Sequence, residues 1–210
     1  YSVPDKGYPS FSYVIKAVEL QEDLLAAKVE NANKTENKTS VNLAFKHILT
    51  QINFSAELES GVTYTVTKIE IMDVNNTGTF TYGTGDVVGA WSSLSGKISY
   101  EYAGKYDATA TDNVADFSTN ANALMLLPQT LSADAKIAVT YSAVKNGFTT
   151  FTGTKEVSLK DKVWGIGKNL RYTLKLSSDA TEVVFTPSVS EWTDETPQPD
   201  PVTPVTPPTE

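Results

Sequence analysis

The side chain best suited to chemistry in this 210-residue sequence is its single histidine, His47. One histidine excludes a multi-histidine metal site, and any Ser-His-Asp triad would have to use His47 itself. His47 lies within an apolar, strand-like stretch, so we interpret it as a structural residue whose ring nitrogen is hydrogen-bonded. Cysteine is absent, which removes disulfides and thiolate chemistry. We therefore predict no catalytic residue, no metal site and no cofactor.

Two loops carry weaker chemical signals. Asp107, Asp112 and Asp116 recur within residues 106–119 and could bind calcium. The spacing and the central glycine of an EF-hand are missing, however, so a solvated acidic loop is the favoured interpretation. The run GTGDVVG at 83–89 resembles a dinucleotide-binding fingerprint, but no helical pattern follows it. We interpret that run as a glycine-rich hairpin loop.

Aromatic side chains are an alternative set of binding groups. Trp91, Trp164 and Trp192 are the candidates for a sugar-binding platform, although each lies beside an apolar run or a strand end. Packing in the core or at its rim is the more common role for such residues. The carboxylate pair of a glycosidase is defined by its separation in space, which residue order does not supply. A carbohydrate-binding module therefore stays open as an alternative, and a hydrolase that uses acids on loops is a more distant one.

The elements that must position these groups are β-strands. Apolar residues hold every second position from Ile137 to Tyr141 and again from Leu170 to Leu176. This alternation, rich in β-branched and aromatic residues, predicts half-buried strands. Turn sequences separate the runs: NNTG at 75–78, GTGD at 83–86, KNG at 145–147 and SSD at 177–179. Many short strands joined by such turns predict an all-β fold, an antiparallel β-sandwich.

Two longer runs change the phase of their alternation. Within 41–54 the apolar residues move from odd to even positions, and within 62–71 the pair Tyr64 and Val66 is out of phase with Ile69 and Ile71. A phase change requires a bulge or a bend, and we expect the two pairs to lie on opposite faces. The only helix candidates are short, at 20–27 and 46–51, and both stretches could equally be loops. The predicted core comprises Leu43, Phe45, Ile69, Ile71, Leu126, Val139, Leu174 and Leu176.

Composition narrows the range of partners. The formal net charge is -8, the isoelectric point is near 4.7, and Arg171 is the single arginine. The charge therefore argues against nucleic acids and anionic membranes as partners, because phosphate binding needs clustered basic residues. Residues 28–40 form a polar stretch with sequons at Asn33 and Asn37. Residues 196–210 are rich in proline, which predicts an extended spacer or a plain disordered C-terminus.

Several segments taken together resemble the fimbrillin-like proteins of Bacteroidetes, the subunits and tip adhesins of type V pili. They are VNLAFKHILTQINFSAEL at 41–58, YTVTKIEIMDVNNTGTF at 64–80, LMLLPQTL at 124–131, WGIGKNLRYTLKL at 164–176 and VSEWTDE at 189–195. The pair Phe45 and His47, the step Pro128-Gln129 and the final Trp192 carry most of the likeness.

The resemblance implies a Greek-key, transthyretin-like β-sandwich and a non-enzymatic fimbrial subunit or adhesin. It also implies export as a lipoprotein, a fimbrial or outer-membrane-anchored location, and a lipid anchor that this chain lacks. The implied partners are other pilus subunits, joined by strand exchange at a sheet edge, and surface ligands of host or bacterial cells. The implied division is 1–40 as the remnant of an N-terminal domain plus a polar linker, 41–195 as the sandwich, and 196–210 as a Pro-rich tail or spacer.

Overall fold

The structure is a computed structural model that describes residues 9–30, 41–102, 114–117, 123–179 and 184–192. Within those ranges the chain forms fourteen strands and one short 3-10 helix, at Val18–Leu20. No helix in these ranges is both long enough and apolar enough to cross a membrane. The strands are β1 Ser10–Val14, β2 Leu25–Ala26, β3 Lys46–His47, β4 Thr50–Glu57, β5 Val62–Tyr82, β6 Gly89–Glu101, β7 Val114–Asp116, β8 Leu124–Leu126, β9 Gln129–Thr130, β10 Lys136–Lys145, β11 Phe148–Ser158, β12 Val163–Trp164, β13 Lys168–Lys175 and β14 Val184–Glu191.

The first sheet, sheet I, is built around the 21-residue strand β5. Strand β10 pairs with residues 62–72 of β5, and β1 pairs with residues 77–81. Strand β6 pairs with residues 70–82 of β5, and β11 lies beyond β10. All of these pairings are antiparallel. Strands β10 and β1 therefore follow one another along one edge of β5, while β6 occupies its other edge.

The second sheet, sheet II, has the order β14, β13, β4, with β7 and β8 both on the far edge of β4. Strands β4 and β13 are parallel, with Gln51 opposite Asn169 and Glu57 opposite Lys175. This parallel pair departs from the purely antiparallel expectation. Its two strands are separated in the chain by β5 to β12, so no tight hairpin constrains their relative direction. Two short ribbons, β2 with β3 and β9 with β12, complete the pairing among the described residues.

The predicted all-β sandwich is confirmed, and its core lies between the two sheets. Two members of the predicted core are wrong: Leu43 is 47% exposed and Phe45 is 62% exposed. Both precede β3, in a stretch that joins neither sheet, so their alternation has no opposing layer to bury it. The other six predicted core residues are buried, namely Ile69, Ile71, Leu126, Val139, Leu174 and Leu176.

The phase change in β5 is a β-bulge at Thr67. Val66 lies opposite Tyr141 and Lys68 lies opposite Thr140, so Thr67 has no partner in β10. The extra residue returns Ile69 and Ile71 to the face that carries Tyr64, and all three are buried in the core. The expected bulge is confirmed, but the expectation that the two apolar pairs face opposite ways is wrong.

Of the predicted turns KNG and NNTG, the first is confirmed at the end of a strand pair, whereas the second lies within a strand. Asn146 and Gly147 have φ values of 53° and 81° at the tip of the β10–β11 hairpin, as the KNG turn predicts. The NNTG run instead continues β5, and a Cβ atom on Gly78 would lie 2.8 Å from Leu94 Cδ2, so a larger residue there would require the Leu94 side chain to shift. The helix candidates at 20–27 and 46–51 are also wrong, since pairing of β2 with β3 prevails over marginal helix propensity.

Candidate interaction site

The first candidate site is the place where β1 covers an aromatic cluster of sheet I. We define this aromatic cluster as Phe11, Tyr13, Phe80, Tyr82 and Trp91. The ring centroids of Phe11 and Phe80 are 5.4 Å apart, and that of Trp91 is 6.2 Å from Phe11 and 6.5 Å from Tyr13. Alternation in the sequence SFSYV turns both aromatic residues of β1 toward this cluster. Strand β1 therefore closes the cluster with only two side chains.

The cluster is fixed to the rest of the sandwich by contacts below β1. The Trp91 indole Nε1 donates a hydrogen bond of 2.6 Å to the carbonyl oxygen of Ile48. Phe80 is fully buried, and Gly89 approaches its ring so closely that a Cβ atom would lie 2.3 Å from Phe80 Cζ. These contacts are made by residues outside β1 and fix the floor of the site to the rest of the sandwich.

The backbone hydrogen bonds of β1 define an inner and an outer edge. Ile15 N donates to Asn76 O over 2.7 Å, and Tyr82 N donates to Pro9 O over 3.1 Å. Backbone groups alternate in direction along an antiparallel strand, so the odd-numbered residues of β1 bond to β5. The even-numbered residues direct their N–H and C=O groups away from β5. Among the described strands, β1 pairs with β5 alone.

The second candidate site is a clasp formed by His47, Asp23 and Trp192, called the His47 clasp below. His47 Nδ1 lies 2.6 Å from Asp23 Oδ2, and the imidazole stacks on the Trp192 ring at 4.0 Å and 7°. Trp192 N also donates to Gly167 O over 2.9 Å. Because a carboxylate can only accept, Nδ1 is the donor of the bond to Asp23. The clasp joins the segment before β2 to the end of β14.

The three tryptophans proposed as a sugar platform are engaged in packing. Trp164 is 1% exposed, and its Nε1 donates to the Tyr172 hydroxyl over 2.9 Å. Trp91 belongs to the aromatic cluster, and one face of Trp192 lies against His47. Trp164 cannot reach a ligand and is excluded from a sugar platform, whereas Trp91 and Trp192 are partly exposed.

The two carboxylates that line a cleft of sheet II form hydrogen bonds or an ion pair with neighbouring side chains. A cleft of about 510 Å³ at one end of sheet II is lined by Glu57 and Glu59. Glu59 accepts hydrogen bonds from Ser178 Oγ and N at 2.7 and 3.2 Å, and these bonds lower the pKa of Glu59. Lys175 Nζ lies 3.7 Å from Glu57. These contacts suit a structural role at the end of the sheet.

Several residues singled out in the sequence lie outside the described ranges. They are Asp107, Asp112, the sequons at Asn33 and Asn37, and the Pro-rich tail; Asp116 is described in its backbone only. Within the described part of the chain, no three His, Asp or Glu side chains form a group that could hold a metal ion. The 83–89 loop is described and joins β5 to β6, in agreement with the hairpin interpretation.

Two solved structures superpose on this chain over most of its length. A fimbrial protein from Bacteroides vulgatus is 18% identical and superposes with a TM-score of 0.64, over 90% of this chain and 69% of that one. A candidate cell adhesion protein from Bacteroides uniformis is 15% identical, with a TM-score of 0.57 over 92% of this chain and 71% of that one. At these identities the likeness establishes a shared β-sandwich fold. No curated protein matches the chain.

The family is shown by the sequence match. The fimbrillin-like family model matches residues 7–192, which is most of the 210-residue chain. The chain belongs to the fimbrillin-like family. It is therefore a structural or adhesion protein of the pilus-subunit or adhesin type, located at the cell surface or in fimbriae, and not an enzyme.

Proposed function

We propose that this protein joins other pilus subunits by strand exchange at the position of β1. In this mechanism a strand from a partner subunit takes the place of β1 against β5, without turnover of any substrate. The protein is exported as a lipoprotein, acts at the outer membrane or in the fimbria, and has a transthyretin-like topology. Family membership supports contact with pilus subunits, and the mode of contact is our inference from the geometry of β1.

The observation that carries the proposal is that β1 covers the aromatic cluster with only two side chains, those of Phe11 and Tyr13. If β1 left its place, the backbone groups of β5 that bond to β1 would lose their partners. The aromatic cluster beside them would also be exposed. A partner strand with aromatic residues at alternate positions would satisfy both, through ladder hydrogen bonds and buried side chains. The rest of sheet I is held by β5, β6, β10 and β11, so the exchange leaves those pairings intact.

The division of the chain remains part of the proposal. Residues 1–40 are assigned to an N-terminal domain remnant with a linker, 41–195 to the sandwich and 196–210 to a spacer. Within the first part, β1 is hydrogen-bonded into sheet I and Ile15 is buried in the core. The remnant is thus integrated with the sandwich where it is described. Ligands on host or bacterial surfaces would be reached from other parts of the molecule.

The test weakens the resident strand and offers a replacement. In the full chain, Phe11→Ala should lower the melting temperature, because Phe11 fills the aromatic cluster. A peptide of residues 9–16 should then bind and restore stability, by about 2.7 kcal/mol at one hundred times its Kd. A peptide with alanine at both aromatic positions is the matched control and should not bind. Failure of the native peptide to bind the Phe11→Ala protein would exclude exchange at β1.

A further inference from the structure

We infer that the outer edge of β1 is a self-pairing surface, which joins β1 of a second copy about a two-fold axis. Sheet I would then run continuously through both copies. This dimer goes beyond the proposed function: it adds a strand beside β1 and leaves β1 in place, and it is closed, whereas exchange between pilus subunits replaces β1. The occupant of the edge is another molecule of this chain.

The outer edge has backbone groups ready for pairing. Ile15 N bonds to Asn76 O, so alternation turns the N–H and C=O groups of Ser12 and Val14 outward. The Ser12 side chain is exposed, and Val14 is 54% exposed on the same face. No described strand pairs with this side of Ser12 and Val14, and an edge of this kind is a template for another strand.

The outer edges of two copies of β1 fit one another in hydrogen-bond register and in side-chain contacts. A two-fold axis through Ser12 places Ser12 opposite Ser12 of the second copy in a hydrogen-bonded pair. The same register places Phe11 opposite Tyr13 of the second copy, and aromatic cross-strand pairs are favourable. Strand β1 carries no charged residue, although the chain has a net charge of -8. Two copies can therefore meet at this edge without placing like charges in contact.

The two other edge strands of sheet I, β11 and β6, carry features that oppose pairing. On β11, Lys155 points inward with its Nζ 5.5 Å from the Phe151 ring centroid, and the β10–β11 register shifts once. Strand β6 has two register shifts against β5. Inward charges and bulges both hinder the approach of a further strand. Strand β1 shows neither feature, and its register with β5 is regular over five pairs.

The edge of β14 is interrupted by a proline. Trp192 N bonds inward to Gly167 O, so alternation places the nitrogens of Val189 and Pro187 on the outer edge. Proline lacks an N–H group and breaks the row of donors. Self-pairing is therefore assigned to β1 and not to β14.

The first test compares two proline substitutions at outward positions. Ser12→Pro removes an outward N–H and leaves the bonds of Phe11, Tyr13 and Ile15 to β5 intact. Val189→Pro makes the same change on the β14 edge and is the matched control. Sedimentation of the full chain should show a dimer for the wild type and Val189→Pro, and at least a tenfold weaker dimer, about 1.4 kcal/mol, for Ser12→Pro. A monomeric wild type at the highest soluble concentration, or equal weakening by both prolines, would overturn the assignment.

The second test places charges at the two-fold axis. Ser12→Lys and Ser12→Glu should each be monomeric, because like charges would then lie opposite one another. An equal mixture of the two variants should recover a dimer that contains one copy of each. Both side chains lie on the exposed face of β1, and equal melting temperatures of the separate variants would confirm that they fold. Homodimers of either variant as tight as the wild type would contradict a two-fold axis at Ser12.

Discussion

At the scale of single residues, tyrosine hydroxyls tie the two sheets together at the margins of the core. Tyr64 donates to Leu176 O over 3.2 Å, and Tyr141 donates to Ser177 O over 3.0 Å. Each bond runs from a strand of sheet I to the end of sheet II. Burial raises the pKa of Tyr64 and of Tyr100 to about 12, because ionisation would place a phenolate in an apolar environment.

We expect the protein to lose stability between pH 10 and about 12. The pKa of Tyr64 lies above its ordinary value of 10.0, so the folded state keeps protons that the unfolded state releases. The stability tied to that proton is complete below pH 10 and is lost as the pH rises through the folded-state pKa. Melting temperature and phenolate absorbance, measured together against pH, test this. In Tyr64→Phe the alkaline loss should be smaller, and an unchanged loss would refute the role of Tyr64.

Leu174 and Leu43 form a matched pair for testing burial. Leu174→Ala should lower the free energy of unfolding by about 2 to 5 kcal/mol, since it leaves a cavity among fully buried neighbours. Leu43→Ala removes the same atoms from a side chain that is 47% exposed and should cost less than about 1 kcal/mol. Denaturant unfolding measures both values. Equal costs for the two variants would contradict the position of β13 in the core.

At the scale of elements, the His47 clasp compensates for a strand with little burial of its own. Seven of the eight residues of β14 are exposed, and only Phe185 is partly covered. Phe185 packs against Tyr172 at 5.1 Å, Glu191 pairs with Lys168, and Trp192 stacks on His47 just beyond the strand. The ends of β14 are thus held by two aromatic contacts and an ion pair, and its backbone by β13.

A double-mutant cycle measures the contribution of the His47 clasp. His47→Gln should cost about 1 to 3 kcal/mol, because it removes the partner of Asp23. We expect its coupling to Trp192→Leu to be about 0.5 to 1.5 kcal/mol, the range of aromatic pairs. Phe148, which is 76% exposed at a hairpin tip, supplies the control, and Phe148→Ala should be additive with His47→Gln. A stoichiometric transition metal that is lost with His47→Gln would contradict the structural role of His47.

Sequence patterns predicted where individual strands lie better than they predicted which parts of the chain pack against those strands. Alternation located β10 and β13, because period two reports directly which face of a strand is apolar. The same pattern misplaced Phe45, since alternation does not reveal whether an opposing layer exists. The glycine of NNTG suggested a turn, whereas Gly78 lies within β5, close to the Leu94 side chain. The stack of Trp192 on His47 joins distant segments, and no local signal predicts it.

At the scale of the whole molecule, the chain crosses repeatedly between the two sheets. Strand β4 lies in sheet II, β5 and β6 in sheet I, β7 and β8 in sheet II, β10 and β11 in sheet I, and β13 and β14 in sheet II. Neither sheet is therefore built from one continuous stretch of chain. The core depends on both sheets at once, which favours a single cooperative unfolding transition.

The parallel pairing of β4 with β13 imposes an order on the folding of this chain. Ser55 and Thr173, whose hydroxyls lie 2.9 Å apart across that pair, are 118 residues apart in sequence. Closing so long a loop costs entropy before any contact repays it, and non-local strand pairing is slow, on the order of milliseconds to seconds. During synthesis the centre of sheet II stays incomplete until the residues of β13 have left the ribosome. The β4 edge that β13 will occupy consequently stays unpaired with β13 until late in synthesis, and chaperones or translocation machinery can engage it during that interval.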